Sequence, residues 1–593
     1  MERGLGGEVA HDTERKMKKR ILYAEASYEA IIQENGYFVD KTQYIEKLER
    51  IKNPVFLRPR RFGKSLLCTM LEAYYDIRKK DDFHELFGHT WIGKKPTPLH
   101  SSCFVLHLDF SVIEVGDMAT IEKSFNHVCN AQLDNLVFFN QQWFQDQITI
   151  DLDKSAVNNL QSILKTVKRD NLPPLFVIID EYDNFANQLI VSHEDHLYHQ
   201  LMSSKGFLKT FFKTLKEGRK SQTIRNVFIT GVLPVTIDEL ASGFNIATII
   251  TLEPEFENML GFTQAEVDRL LDEIYHDYEM DPDTRSETDA LIKNQYNGYH
   301  FIHPNGEPVY NSTILIYFLH YFTRYRAYPE YLTDMNLKTD LEWVRRITGS
   351  NPDLTKGFVD QLMVHNTIEY DKNFLTAKFN MSQFFEKGFF PISFYYLGML
   401  TRLDSFNLKL PNMNMRKIFA EYFNELHAID VSTGYTNAMQ QFLKDLDLSA
   451  LFAAYWDRYI SQLPEAIFQK VNENFYRTTF YELCSRYLSE WFTWNVERSY
   501  PKGRSDLEFV GKYNECFAGI RMVIEFKYLS NAEFKRLKTT IEDFTLQDED
   551  TKQIAGYVDG LAVEYPEAKI SQYVIYCIGN QGWRVFKINV AGI

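Results

Sequence analysis

The stretch from Pro54 to Leu71, P-V-F-L-R-P-R-R-F-G-K-S-L-L-C-T-M-L, constrains the fold of this chain more than any other. Val55, Phe56 and Leu57 form a short apolar run of the kind that makes a buried strand. The run breaks into a basic loop closed by Gly63-Lys64-Ser65, where an amphipathic helix is predicted to begin. Strand, loop and helix in this order make a phosphate cradle, because backbone N–H groups and the helix N-terminus turn toward anion oxygens. In that reading Lys64 reaches the β- and γ-phosphates and the Ser65 hydroxyl ligates Mg²⁺. The usual spacing places a glycine five residues before Gly63. Here that position is Arg58, so the bare motif is incomplete.

A second stretch supplies what such a loop needs opposite it. Leu175-Phe176-Val177-Ile178-Ile179 is a continuous apolar run closed by Asp180 and Glu181, the pattern of a central parallel strand. Ligands of open α/β sheets bind at the C-terminal edge of such strands. Asp180 is then expected to hold Mg²⁺, directly or through water, and Glu181 to polarise the attacking water. Phe104 to Phe110 and Val227 to Gly231 read as further buried strands, with a long helical stretch from Ile121 to Lys168 between them. Thr230 stands where ATPases place a γ-phosphate sensor; the alternative is a strand-end threonine capping a turn. Arg219 and Arg225 are candidate arginine fingers. Strands alternating with helices predict a parallel sheet covered on both faces. Ahead of the loop, Tyr37-Phe38-Val39-Asp40-Lys41-Thr42 either wraps the base of a nucleotide or packs as a strand.

Length and composition narrow the classes. At 593 residues the chain exceeds a single core, so two to four domains are expected. No apolar run approaches the roughly 18–20 residues of a membrane span. Six cysteines without a C-x-x-C are neither a zinc framework nor a disulfide scaffold, which fits a reducing cytoplasm. A net charge of −15 argues against a generally basic nucleic-acid coat. From Ile467 onward, however, 16 Lys and Arg face 17 Asp and Glu, so the C-terminal part is nearly neutral. Nucleic-acid contact is therefore expected to be local and C-terminal.

That part carries a second chemical pattern of helix, three strands, helix and strand. Tyr500-Pro501-Lys502-Gly503-Arg504 turns into Ser505-Asp506-Leu507, and Met522 to Tyr528 is an apolar strand interrupted by Glu525 and Lys527. Residues i and i+2 of a strand share a face, so Glu525 and Lys527 project together while Ile524 and Phe526 face the core. Asp506, heading the antiparallel neighbour, can meet them. Two carboxylates and a lysine make a site for a hard cation with a charge to orient water. The alternative is a solvated face with alternating charge. A trailing helix with Gln553 and Tyr557 favours the metal site, and Lys502 and Arg504 are candidate phosphate contacts.

Together these residues resemble a bacterial family that fuses an AAA-ATPase-like domain to a C-terminal PD-(D/E)XK nuclease-superfamily domain. The resemblance rests on Tyr37–Thr42, on R-P-R-R-F-G-K-S at Arg58–Ser65, on V-I-I-D-E-Y-D at Val177–Asp183 and on T-G-V at Thr230–Val232. Tyr296–Tyr299 and Val309–Asn311 extend it, and G-R-S-D at Gly503–Asp506 with E-F-K at Glu525–Lys527 completes it. The family has the arginine-rich loop in place of the glycine-rich one. The resemblance thus implies nucleotide contact along Arg58, Pro59, Arg60, Arg61, Phe62, Gly63, Lys64, Ser65 and Leu66. It further implies ATP binding and Mg²⁺-dependent phosphodiester chemistry, with Mn²⁺ as a substitute. Asp506, Glu525 and Lys527 would form the nuclease triad, with Asp506 and Glu525 on the metal. Glu497 matches the acid before the G-R-x-D turn, and Arg477 stands where relatives are expected to carry histidine.

The expected architecture is α/β. A loose leader over 1–16 precedes a phosphate-loop ATPase core with a parallel sheet over 17–252. A helical lid follows over 253–330, then a helical linker over 331–465 with no assignable chemistry, and a restriction-endonuclease-like α/β domain over 466–593. The expected function is an ATP-binding and ATP-hydrolysing protein coupled to a metal-dependent nuclease. Its substrate is nucleic acid, DNA ahead of RNA, and a homo-oligomer is a candidate state. The resemblance adds a role in defence against phage or other mobile elements. One alternative is a nucleotide switch whose C-terminal domain binds nucleic acid or a protein partner without cutting. Another is a motor or ring in which the nuclease is incidental.

Overall fold

The computed structural model describes residues 18–145, 148–184, 187–189, 195–201, 206–234, 244–333, 352–375, 383, 386–500 and 503–588. The expected leader and the phosphate-contact candidate Lys502 lie outside these residues.

Five parallel strands form the N-terminal sheet: β1 (Pro54–Leu57), β2 (Phe104–Asp109), β3 (Leu175–Asp180), β4 (Ile224–Gly231) and β5 (Thr248–Ile249). Their order is β2-β3-β4-β1-β5. β1 and β3 are buried at every position, as apolar runs without alternation require of strands covered on both faces. The Ala156–Arg169 helix shows how the cover is built. It buries Leu160, Ile163, Leu164 and Val167, an i, i+3, i+4, i+7 stripe, and leaves its polar side to solvent. All five strands point their C-terminal ends the same way, so the loops after β1, β3 and β4 converge on one edge. Arg219 and Arg225 lie at the opposite edge, before and at the start of β4, which separates them from the loop of their own chain.

The lid closes over that edge. Its Gln264–Asp277 helix starts with a capping box of Thr263 and Glu266. The turn at Pro304–Gly306 is bracketed by an antiparallel bridge between Tyr299 and Val309. The lid is stitched to the phosphate loop: Thr313 N donates to the Arg61 carbonyl at 3.1 Å and Gly261 N to the Phe62 carbonyl at 3.3 Å. The Phe62 ring packs edge-on against Tyr299 and Phe301 at 5.0 and 5.2 Å.

The stretch 331–465 is mostly helical, as expected, with one addition. Between its helices lies a small antiparallel sheet, β6 (Thr367–Glu369), β7 (Thr401–Arg402) and β8 (Asn407–Lys409), in the order β6-β8-β7. Strands of two or three residues are too short to show a period-2 pattern, which is why helical periodicity masked them.

The C-terminal domain is a mixed sheet ordered β15-β14-β13-β12-β9. Its strands are β9 (Phe492–Val496), β12 (Leu507–Gly511), β13 (Ile520–Leu529), β14 (Lys569–Ile578) and β15 (Gly582–Ile588). A two-stranded ribbon of β10 (Ser499–Tyr500) and β11 (Gly503–Arg504) stands beside it. Only β13 and β14 run parallel, joined by the crossover helix Asp548–Glu564. β15 follows β14 as one strand more than the expected pattern. Ile524 and Phe526 pack in the core that holds the Glu473–Leu488 helix, and Val523 packs with Ile554, Tyr557 and Leu561 of the crossover helix. That alternation puts Glu525 and Lys527 on the crossover-helix face.

The lid and this domain touch directly. Glu287 pairs with Arg521 at 3.2 Å, Ser286 Oγ donates to Glu564 at 3.0 Å, and Asn294 Nδ2 donates to the Trp494 carbonyl at 3.4 Å.

Candidate active sites

The phosphate loop opens into a cavity of about 320 Å³. Its walls are the loop itself, Glu181, Met259–Phe262 and Ser312 from the lid, and Ile21, Leu22, Tyr37 and Val39 from the N-terminal segment. The segment ahead of the loop is thus part of the pocket wall. Gly63 caps the Lys64–Tyr75 helix at φ +92°, where a side chain would be strained although a β-carbon would meet its neighbours only at ordinary contact distance. Arg61 also sits in left-handed backbone at φ +69°.

Lys64 is buried, donates from Nζ to the Pro59 carbonyl at 3.3 Å, and lies 3.4 Å from a Glu181 carboxylate oxygen. Asp180 accepts from the Glu181 backbone N–H at 2.8 Å and hydrogen-bonds the Ser65 side chain. Burial raises the Asp180 carboxyl above its usual range, outweighing the Ser65 bond, and neighbouring Glu181 and Asp109 add to the rise. A buried acid in that state beside a serine hydroxyl fits a divalent cation, which would supply the missing positive charge. Glu181 stands at φ +48°, a left-handed turn that swings its side chain out of the strand line toward the loop.

Two expected contacts lie elsewhere. Arg58 does not face the cavity: it is buried, and its guanidinium donates to the carbonyls of Leu57, Thr251, Phe256 and Glu257 while lying over the Phe56 and Phe301 rings. Its charge is spent on ordered carbonyl dipoles, so it fastens the loop to the start of the lid. Thr230 donates its hydroxyl to the Phe56 carbonyl at 2.8 Å across the β1–β4 pair, leaving it bound to backbone where a sensor would be turned to the pocket. The residue that links these strand ends is Asp183, the last acid of the V-I-I-D-E-Y-D stretch. It is fully buried and accepts from Val232 N, Leu233 N and Asn187 Nδ2. Burial, then Glu181, pushes its carboxyl up to about 6. A β-carbon on Gly231 would fall 2.2 Å from its Oδ1, so glycine is required there.

At the second site β13 presents Glu525 and Lys527 on one face, as the period-2 spacing predicts. Lys527 Nζ donates to Glu525 Oε1 at 3.2 Å and to Gln553 at 3.0 Å, and Gln553 Nε2 donates to the same Oε1 at 2.6 Å. Glu525 Oε2 is buried and has no hydrogen-bond partner. Burial, then the charge of Asp506, pushes this carboxyl up to about 8. Tyr557 Oη accepts from Gln553 Nε2 at 2.6 Å, and its ring fills the space where a side chain on Gly503 would sit.

Asp506 is held on both oxygens. Oδ2 accepts from Phe526 N at 2.8 Å and Oδ1 pairs with Arg477 at 2.8 Å. Arg477 also pairs with Glu497 at 2.9 Å, and Glu497 takes Arg416 at 3.0 Å and Arg504 at 3.4 Å. Burial alone would raise Glu497, but the three guanidiniums outweigh it and hold the carboxyl at about 2. Glu497 is thus committed to an arginine cluster, apart from Glu525 and Lys527. Arg504, exposed but for this pair, remains on the surface beside the site.

Two members of this site were not legible beforehand. Arg416 comes from the Met413–Leu426 helix of the stretch that had no assigned chemistry. Glu473, opening the Glu473–Leu488 helix, has its carboxyl raised by burial and by Asp506, and it raises Glu525 and Lys527 in turn. Its only local signal was an acid at a helix start.

An unpartnered buried carboxylate oxygen facing a second carboxylate, with a lysine beside it, fits a divalent cation. The Glu525 shift carries its own test. A carboxyl raised in the folded state adds stability that is complete below its unfolded value and is lost as pH rises through the folded value. In chelator, wild-type thermal stability should therefore fall relative to Glu525→Gln between about pH 5 and pH 8. Mn²⁺ should reverse the loss in the wild type only. Parallel melting curves of the two proteins check this.

Residues 23–241 match the family model described as predicted AAA-ATPase, and residues 471–587 match that of the PD-(D/E)XK nuclease superfamily. No curated protein matches the chain. The parallel sheet with its phosphate loop and the mixed sheet with its paired acids define a two-part class, an ATPase-like domain joined to a nuclease-superfamily domain. This chain carries both parts, an N-terminal AAA-ATPase-like domain and a C-terminal PD-(D/E)XK domain. Among the described residues no helix is long and apolar enough to cross a membrane.

Proposed function

We propose that this chain binds and hydrolyses ATP at the loop of Arg60–Leu66 and cleaves nucleic-acid phosphodiesters with a divalent cation held by Asp506 and Glu525. The observation that carries the proposal is Glu525 Oε2, buried without a partner on the face it shares with Lys527. A cation bound there would polarise the scissile phosphate and a water. Lys527 holds positive charge beside the position where charge develops, and Gln553 fixes Glu525. At the first site Lys64 neutralises phosphate charge, Ser65 and Asp180 hold Mg²⁺, and Glu181 orients water. The domain limits proposed are 17–252, 253–330, 331–465 and 466–593. DNA is proposed ahead of RNA, and defence against mobile elements is the role that fits such a pairing of activities.

One observation favours a second reading. Arg477 already neutralises Asp506, so a cation has to share or displace that pair. A domain locked this way would bind nucleic acid or a protein partner without cutting. Purified protein incubated with Mg²⁺ or Mn²⁺, DNA and RNA, with and without ATP, separates the two: cleavage supports the first, binding without cleavage the second.

For the ATP site, Glu181→Gln should still bind ATP and hydrolyse it slower by on the order of 10²–10⁴-fold, since the carboxylate serves the water and not the affinity. Single-turnover hydrolysis beside equilibrium binding measures both. Wild-type turnover in the variant would reduce Glu181 to a strand-end acid.

A further inference from the structure

Behind the phosphate loop, three side chains from three elements converge. Cys68 lies on the Lys64–Tyr75 helix, His107 on β2 and Asp180 at the end of β3. Their ligand atoms all lie within 4.8 Å of one another. Asp180 is already hydrogen-bonded by Ser65 and the Glu181 N–H, but the other two present unclaimed donor atoms toward it. Cys68 is fully buried and belongs to no disulfide, and His107 Nε2 is buried without a hydrogen-bond partner. His107 Nδ1 meets Glu72 Oε2 at 2.8 Å. A carboxylate on one ring nitrogen fixes the proton there and turns the lone pair of the other outward, which is the arrangement that orients imidazole for a metal.

We propose that Cys68, His107 and Asp180 form a binding site for a borderline-soft divalent cation, Zn²⁺ or its analogues Co²⁺ and Cd²⁺, with Glu72 orienting His107. A thiolate, an imidazole nitrogen and a carboxylate are the donor set such ions select, and they discriminate against Mg²⁺. Bond lengths of about 2.0–2.3 Å put tetrahedral ligand atoms roughly 3.5 Å apart, so binding draws the three side chains inward. The Cys68 S–H bond breaks, a sulfur–metal bond forms, and the proton leaves to solvent. His107 keeps its Nδ1 proton on Glu72.

The site has a regulatory consequence, and this part rests on the assignment of Asp180 to the ATP site. An ion held by Cys68 and His107 draws Asp180 away from Ser65, so the two metals compete for one carboxylate. Loading the soft ion therefore switches ATP hydrolysis off.

The probe is Co²⁺ added to chelator-treated full-length protein. One equivalent should give a thiolate-to-metal charge-transfer band and the visible bands of a tetrahedral centre. Cys68→Ser should lose the charge-transfer band, and Glu72→Gln should weaken affinity by about 10–100-fold. Should Cys68→Ser melt early, His107→Gln carries the same test through the visible bands. Protein loaded with one equivalent of Zn²⁺ and assayed in Mg²⁺-ATP should lose hydrolysis by at least about tenfold, while zinc-treated Cys68→Ser should not. A charge-transfer band that survives in Cys68→Ser, or no band in the wild type at saturation, overturns the site. A protein that gives the band but never binds ATP keeps the metal site and refutes the ATP reading; one that binds ATP without the band does the reverse.

Discussion

Asp506→Ala and Glu525→Ala are each expected to abolish nucleic-acid cleavage, by on the order of 10³-fold or more, and the double variant to do no worse. In the proposed site both carboxylates serve one cation, and groups that act as a unit do not add when removed singly. The surroundings sharpen the expectation. Removing Glu525 strands Lys527 beside Asp550, at 3.5 Å, and frees Gln553 from its carboxylate. Removing Asp506 leaves Arg477 on Glu497 and Asn474 and takes away the acceptor of Phe526 N. Lys527→Ala should differ in kind, keeping cation affinity and losing rate. ATP hydrolysis should survive all three. Cleavage rates beside cation affinity by calorimetry measure the set, and additive losses would mean the two acids do not share an ion.

The second large effect is at the other end. Lys64→Ala is expected to cost roughly 2–5 kcal/mol of ATP binding, about 30- to 5,000-fold in affinity. Lys64 is buried, and its ammonium bridges the Pro59 carbonyl and Glu181. Its loss leaves Glu181 facing the phosphates with no cation between them, so repulsion adds to the missing attraction. Calorimetry at unchanged thermal stability checks this, and unchanged affinity would refute the phosphate-loop assignment.

How far the sequence reached depends on how local each signal is. Four strands of the parallel sheet were legible because β1, β2, β3 and β4 are apolar runs ending in loops with recognisable chemistry, while the two-residue β5 was not; the Glu525–Lys527 face was legible because a strand alternates. The short β6, β7 and β8 had no room for a period. Arg58 misled because a basic residue in a phosphate loop reads as a phosphate contact; four carbonyls and two aromatic rings, most of them from distant segments, claim it instead. Thr230 misled in the same way, since its partner is the backbone of the neighbouring strand. Arg416 reaches Glu497 from 81 residues away and Arg477 reaches Asp506 from 29. No spacing rule connects such pairs. The Cys68, His107 and Asp180 cluster is likewise a product of packing, with one residue from each of three elements.

The contacts of the lid give the two sites a common frame. It binds the phosphate loop through Thr313 and Gly261 and the nuclease-superfamily sheet through Glu287 and Arg521. The central claim is that one chain joins an ATP site to a cation-dependent phosphodiester site and that the first controls the second. Cleavage of labelled DNA and RNA over a Mg²⁺ and Mn²⁺ titration, with and without ATP, tests it most directly in the wild type, Lys64→Ala and Asp506→Ala. The account predicts cation-dependent cleavage that changes with ATP in the wild type, ignores ATP in Lys64→Ala and is absent in Asp506→Ala. A wild type that cuts nothing under any nucleotide condition, while Asp506→Ala binds nucleic acid equally well, would contradict it.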